Sequence, residues 1–210
     1  MTSTYVNDLR LNEMATGDQS GSWGTVTNTN LELIGEAFGY GTEAITTNAD
    51  THTTTIADGA ADPGRSMFLK YTGTLDSACT ITIGPNTVSK MWFIENATTG
   101  SQNIIISQGS GANITIAAGQ TKAVYSDGTG AGAAFVDAFD SLSVGALASA
   151  GAISGTTGTF SGAVAGTTGT FSGAVTGASA TLGGITYPTS DGTSGQALVT
   201  NGSGTVSFGS

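Results

Sequence analysis

Basic side chains are scarce in this sequence. Its 210 residues hold five Lys and Arg against 15 Asp and Glu, a formal charge of −10. Lys70, Lys90 and Lys122 stand apart, so no basic patch forms for nucleic acid, and the net charge disfavours any phosphate ligand. Cysteine is limited to Cys79, which excludes an intrachain disulfide and a metal site built on thiolates. Histidine is limited to His52, set in Asp50-Thr-His-Thr-Thr-Thr. That polar run reads as a solvated loop or strand edge with no nucleophile elbow around it. P-loop, dinucleotide and zinc patterns are missing as well. The carboxylate pairs Asp58/Asp62 and Asp137/Asp140 lie on turns, where such spacing serves solvation and at most a loose Ca²⁺ site. The sequence therefore reads as a chain that is not an enzyme, with no catalytic residues, cofactor or metal. Met1-Thr-Ser-Thr-Tyr lacks the basic start and apolar core of a signal peptide, so synthesis in a cytoplasm is expected. Charged residues make up 10% of the chain, against about a quarter in an ordinary domain. The long uncharged tract between Asp140 and Asp191 is too polar and Gly-rich for membrane insertion.

That tract is where the pattern lies. It reads GTTGTFSGAVA at 155–165, GTTGTFSGAVT at 166–176 and a decayed GASATLGGIT at 177–186, a period of 11. Phe160, Phe171 and Leu182 share one position of the repeat. Val164 and Val175 follow each Phe by four residues, Ile153 stands one period before Val164, and Ile185 closes the tract. In TFSGAV, Phe, Gly and Val fall on one face of an extended strand, and AGTTG supplies the turn. Two apolar side chains per repeat contribute roughly 3–6 kcal/mol. Ordering 11 backbones costs on the order of 11–22 kcal/mol. A single chain cannot make up that difference. The missing burial and pairing must come from other copies, wound in parallel with Ile153, Phe160, Val164, Phe171, Val175, Leu182 and Ile185 on a shared axis. The alternative is a flexible linker, which has no reason to space Phe and Val regularly.

The rest of the chain divides around this shaft. Residues 1–44 read as an extended arm, a loop around Trp23 and a short helix over 30–38. Thr29 with Glu32 forms a capping box, Leu31, Ile34 and Phe38 share a face, and Gly39 ends the helix. Residues 45–140 read as a small antiparallel β domain. Its candidate strands are 53–57, 66–72, 79–83, 90–96, 103–108, 113–117, 121–126 and 134–139, spaced about ten residues apart as in a sandwich or barrel. Residues 141–186 are the repeat shaft. Residues 187–210 read as a hairpin, with strands at 197–200 and 205–208, opening a further module.

Three stretches carry a resemblance. Thr16-Gly17-Asp18, Ser22-Trp23-Gly24 and Thr27-Asn28-Thr29-Asn30-Leu31-Glu32-Leu33-Ile34 resemble the N-terminal module of tail fibres from phages of marine bacteria, especially of cyanobacteria. PTSDGTSGQALVTNGSG from Pro188 resembles a segment that follows shaft repeats in phage tail fibres, and the 11-residue repeats fit the same family. The resemblance implies an elongated homotrimeric fibre, mostly β, in the virion. Its N-terminus would be held by a tail adaptor, nozzle or baseplate protein, with Trp23, Leu31, Ile34 and Phe38 as the attachment face. A distal region, expected to lie beyond Ser210, would bind the host-surface receptor. The alternative is an adhesin in which the 45–140 domain recognises a surface glycan, with Tyr71 or Trp92 as stacking platform, although both read better as core.

Overall fold

A computed structural model describes residues 4, 5, 7–146, 148–153, 158 and 181–209. They belong to two units, 1–147 and 148–210. The first contains helix α1 (Trp23–Ala37) and strands β1 (Tyr40–Ala44), β2 (Thr51–Thr55), β3 (Phe68–Thr72), β4 (Cys79–Gly84), β5 (Met91–Asn96), β6 (Ile104–Ser107), β7 (Ile114–Ile116), β8 (Thr121–Ser126) and β9 (Phe135–Asp137). The chain is mostly β, as its alternating pattern predicts. In β4, Cys79, Ile81 and Ile83 are buried while the intervening threonines face out, and in β5, Trp92 and Ile94 point inward.

The expected antiparallel topology is not what forms, because both sheets are mixed. The first runs in the order β1-β3-β5-β8-β9, parallel from β1 to β5 and antiparallel from β5 to β9. The second runs β2-β4-β6-β7, parallel from β2 to β6 and antiparallel at β6–β7. From β1 to β6, successive strands alternate between the sheets, so the chain coils instead of folding into hairpins. The links 45–50, 73–78 and 97–103 lack the Asn-Gly or Asp-Gly pairs that close two-residue hairpins. They stack on one another instead, with Asn48 N donating to Thr74 O (2.8 Å), Leu75 N to Thr99 O (3.0 Å) and Thr99 N to Gly73 O (2.8 Å). Gly100, at φ +97°, makes that stacking possible, since a Cβ there would overlap Leu75 O.

Leu69, Tyr71, Trp92, Ile94, Val124 and Phe135 of the first sheet meet Ile81, Ile83, Ile104, Ile106 and Ile116 of the second to form the core. Helix α1 begins at Trp23, not at residue 30, and ends before Phe38. Thr29 and Glu32 therefore lie inside the helix, and Ser22 occupies the N-cap position. Tertiary contact overrides the local capping signal. Asn30 and Asn12 exchange two hydrogen bonds (2.9 and 3.0 Å), which tie the middle of the helix to the N-terminal arm. Leu33 and Ala37 are its buried side chains. Strand β1 follows directly and forms an edge of the first sheet.

In the second unit, β10 (Thr181–Leu182) pairs with β11 (Ile185–Thr186), and β12 (Ala197–Thr200) pairs with β13 (Val206–Gly209), both antiparallel. The β12–β13 pair is the hairpin expected at the C-terminal end, displaced by one residue in its second strand.

Candidate attachment surface

Helix α1 presents two faces that follow from its periodicity. At 100° per residue, Val26, Leu33 and Ala37 fall together, as do Trp23, Leu31, Ile34 and Phe38 at the helix end. The first set is turned toward the domain. The second is turned to solvent: Trp23 is 65% and Phe38 73% exposed, and Leu31 and Ile34 are exposed beside them. The four residues expected to form the attachment face thus do share one exposed apolar stripe.

A buried charge cluster fixes the orientation of that stripe. Arg65 is fully buried, and its Nη2 donates to Ala57 O (2.7 Å), Ala60 O (2.8 Å) and Asp62 Oδ2 (2.9 Å). Its Nε lies 3.4 Å from Glu36 Oε2 on the helix, and Glu36 Oε1 accepts from Asp62 N at 3.1 Å. Asp62 also caps the short 3-10 turn Pro63–Arg65, accepting from Arg65 N at 2.7 Å. Removal from water, followed by the neighbouring Asp62 carboxylate, raises the Glu36 pKa. Lys90 supports the turn from below. Its Nζ donates to Arg65 O (2.6 Å) and lies 4.4 Å from the centroid of the Trp92 ring. Burial lowers the Lys90 pKa to about 7, against the opposing pull of Asp62. Arg65 stands in DPGRS, a stretch whose sequence reads as a turn. The one available signal was a lone Arg next to an Asp-Pro-Gly turn.

Other expected residues are placed differently. His52 is not a solvated side chain: it is mostly buried, with Nε2 2.8 Å from Glu43 Oε1. Thr54 Oγ1 donates to Glu43 Oε2 (2.9 Å) and lies 2.7 Å from the Tyr71 hydroxyl. Tyr71 and Trp92 are both fully buried, which removes them as a glycan-stacking platform. Burial pushes the Tyr71 phenol upward, and Trp92 Nε1 donates to Gly64 O at 2.8 Å. Three of the four paired carboxylates are engaged as well. Asp58 meets Arg10 (2.7 Å), Asp62 serves Arg65, and Asp137 meets Lys122 (2.8 Å), which holds the Asp137 carboxyl below its usual range. Among the described residues no three His, Cys, Asp or Glu are placed to hold a metal ion. No described helix is long and apolar enough to cross a membrane.

Of the expected axis residues, Ile153 and Ile185 are exposed, and Leu182 pairs with Ile185 through the backbone. Phe160, Val164, Phe171 and Val175 lie outside the described residues. Compared with protein-family models, curated proteins and solved structures, the chain finds no match.

Proposed function

We propose that this chain is the virion-proximal part of a homotrimeric phage tail fibre. Residues 1–44 attach it to a tail adaptor, nozzle or baseplate protein, the coiled β unit forms the body, and the 11-residue repeats wind three copies into a shaft. The role is mechanical: the fibre holds a distal receptor-binding region away from the tail and transmits the contact made there. The observation that carries this reading is the exposed stripe Trp23, Leu31, Ile34 and Phe38 on a helix clamped through Glu36 to Arg65. A helix that turns its apolar side outward is suited to fill a groove on another protein. The resemblance of the N-terminal segment and the repeats to tail fibres supports the same assignment.

The test is a double substitution, Trp23→Asp with Phe38→Asp. Both side chains are solvent-exposed, so folding stability should change by no more than ~0.5 kcal/mol per site. Fibres carrying the pair should assemble normally yet be missing from particles stained with an antibody to the chain. Normal occupancy of the particles would place the anchor elsewhere.

A further inference from the structure

The two sheets of the first unit differ sharply on their outer faces. In the second sheet, alternation puts Thr51, Thr53 and Thr55 of β2, Thr80 and Thr82 of β4, Ile105 of β6 and Thr115 of β7 outward, a surface made mostly of hydroxyls with Ile105 among them. In the first sheet, the register aligns Tyr40, Phe68, Phe93 and Ala123 in one row across four strands, and Met91, Tyr125 and Val136 in another. Tyr40 stacks on Phe68 at 5.1 Å between ring centroids. Tyr40 is 58%, Met91 40% and Tyr125 42% exposed, and Phe139, just past β9, is 53% exposed. Phe139 and Asp140 line a depression of about 430 Å³ with Phe93, Thr121, Ala123 and the paired Lys122 and Asp137.

We propose that the outer face of the β1-β3-β5-β8-β9 sheet is covered by the same face of other copies of this chain. The inference rests on the homotrimer reading above and names where the copies meet in the body of the fibre. Three observations select a copy of the chain over a foreign partner or a sugar. The first is charge. Among the described residues, alternation places only Lys70 and Glu95 as charges on this face, and they pair with each other at 3.5 Å. A chain of net charge −10 repels its copies, and here the charges are mostly paired: Lys70 with Glu95 and, at the depression, Lys122 with Asp137 at 2.8 Å, with Asp140 beside them.

The second is the route of the chain. The sheet ends at β9, the chain passes Phe139 on this face, and the uncharged tract that needs other copies begins directly after Asp140. Copies brought together by the tract are therefore tethered where this face begins, at high effective concentration. The third is size. Taking about 200 Å² for a large side chain, the exposed parts of Tyr40, Met91, Tyr125 and Phe139 amount to roughly 400 Å². That is within the roughly 300–600 Å² of the largest apolar patch on a typical monomer, a patch that is often functional, and about half of the ~800 Å² that a stable contact covers per partner. The polar rim of Thr42, Lys70, Glu95 and Thr121 supplies further area.

The experiment uses the full chain with one added cysteine, Tyr125→Cys on this face or Thr53→Cys on the opposite sheet. Both sites are exposed, so folding is preserved, and the buried native Cys79 makes the parent chain the blank. Each protein is treated with a short bismaleimide, run on a denaturing gel, and its untreated mass in solution is measured in parallel. The proposal expects multimeric mass in both, with linked chains from Tyr125→Cys and none from Thr53→Cys. Multimeric mass without linkage at 125, or with linkage only at 53, would overturn the proposed face and leave the homotrimer reading intact. A single-chain mass would overturn both.

Discussion

Replacing Arg65 by Ala should loosen the clamp between helix α1 and the β unit, and the size of the effect follows from its surroundings. The guanidinium is fully buried and makes three hydrogen bonds of 2.7–2.9 Å, two to carbonyls and one to the Asp62 carboxylate. Asp62 would keep its bonds from Ala57 N and Arg65 N. The Ala57 and Ala60 carbonyls would lose this donor, and Glu36 and Asp62 would face each other without a cation between them. Removing one partner of a buried pair costs about 3–5 kcal/mol. For a unit of this size, at roughly 3 °C per kcal/mol, the melting temperature should fall by about 10 °C or more. The loss should shrink toward acid pH, because Glu36, already held above the usual carboxylate range by burial and Asp62, takes up a proton and relieves the repulsion. Near-UV circular dichroism during heating is the assay, as Trp92 is bonded to Gly64 one residue from the substitution. Arg10→Ala is the control: the Arg10–Asp58 pair is partly exposed, so its loss costs at most ~1 kcal/mol. Equal, small shifts for the two variants would refute the clamp.

Two further predictions follow from the charges and from the repeats. Burial lowers the Lys90 pKa to about 7 in the folded chain, against about 10.4 for a free lysine, so between these values the unfolded chain binds the extra proton. Stability should then rise with pH across that window, by up to about 1.4 kcal/mol per unit, and Lys90→Met should flatten the rise in urea unfolding curves. In the repeats, Phe171→Asp should make the 150–185 tract sensitive to protease, since carboxylates would crowd a shared axis. Thr170→Asp, which the repeat pattern would put on the opposite face of an extended strand, should leave it resistant. Equal cleavage of the two would return the tract to a flexible linker.

Much of the first unit is legible in the sequence because burial alternates along its strands. Strand β8 spans Thr121–Ser126 and β12 spans Ala197–Thr200, the bounds that side-chain alternation and turn residues predict. Pairing order is a different matter. A spacing of about ten residues suits a hairpin or a coil equally, and the choice depends on hydrogen bonds between links such as 73–78 and 97–103, far apart in sequence. Strand β1, with sequence YGTEA, carries too little β-branched character to announce itself and is held by its register against Phe68–Thr72. The start of α1 was hidden by Thr25, Thr27 and Thr29, poor helix formers, in a segment whose fit depends on Asn12 and Leu33. Leu31, Ile34 and Phe38 are legible as one face because that depends only on helical spacing, whereas Trp23, expected in a loop, joins them only through the earlier start of α1. The buried ion cluster was not, since nothing local marks Arg65 as inward.

The central claim is that three copies of this chain form one fibre. The most direct measurement is the mass of the full chain in solution by sedimentation equilibrium at neutral pH. The account predicts a single species of about 62 kDa, three chains of 20.7 kDa each, unchanged on dilution. A species of one chain mass, folded and with no larger form as concentration rises, would contradict it.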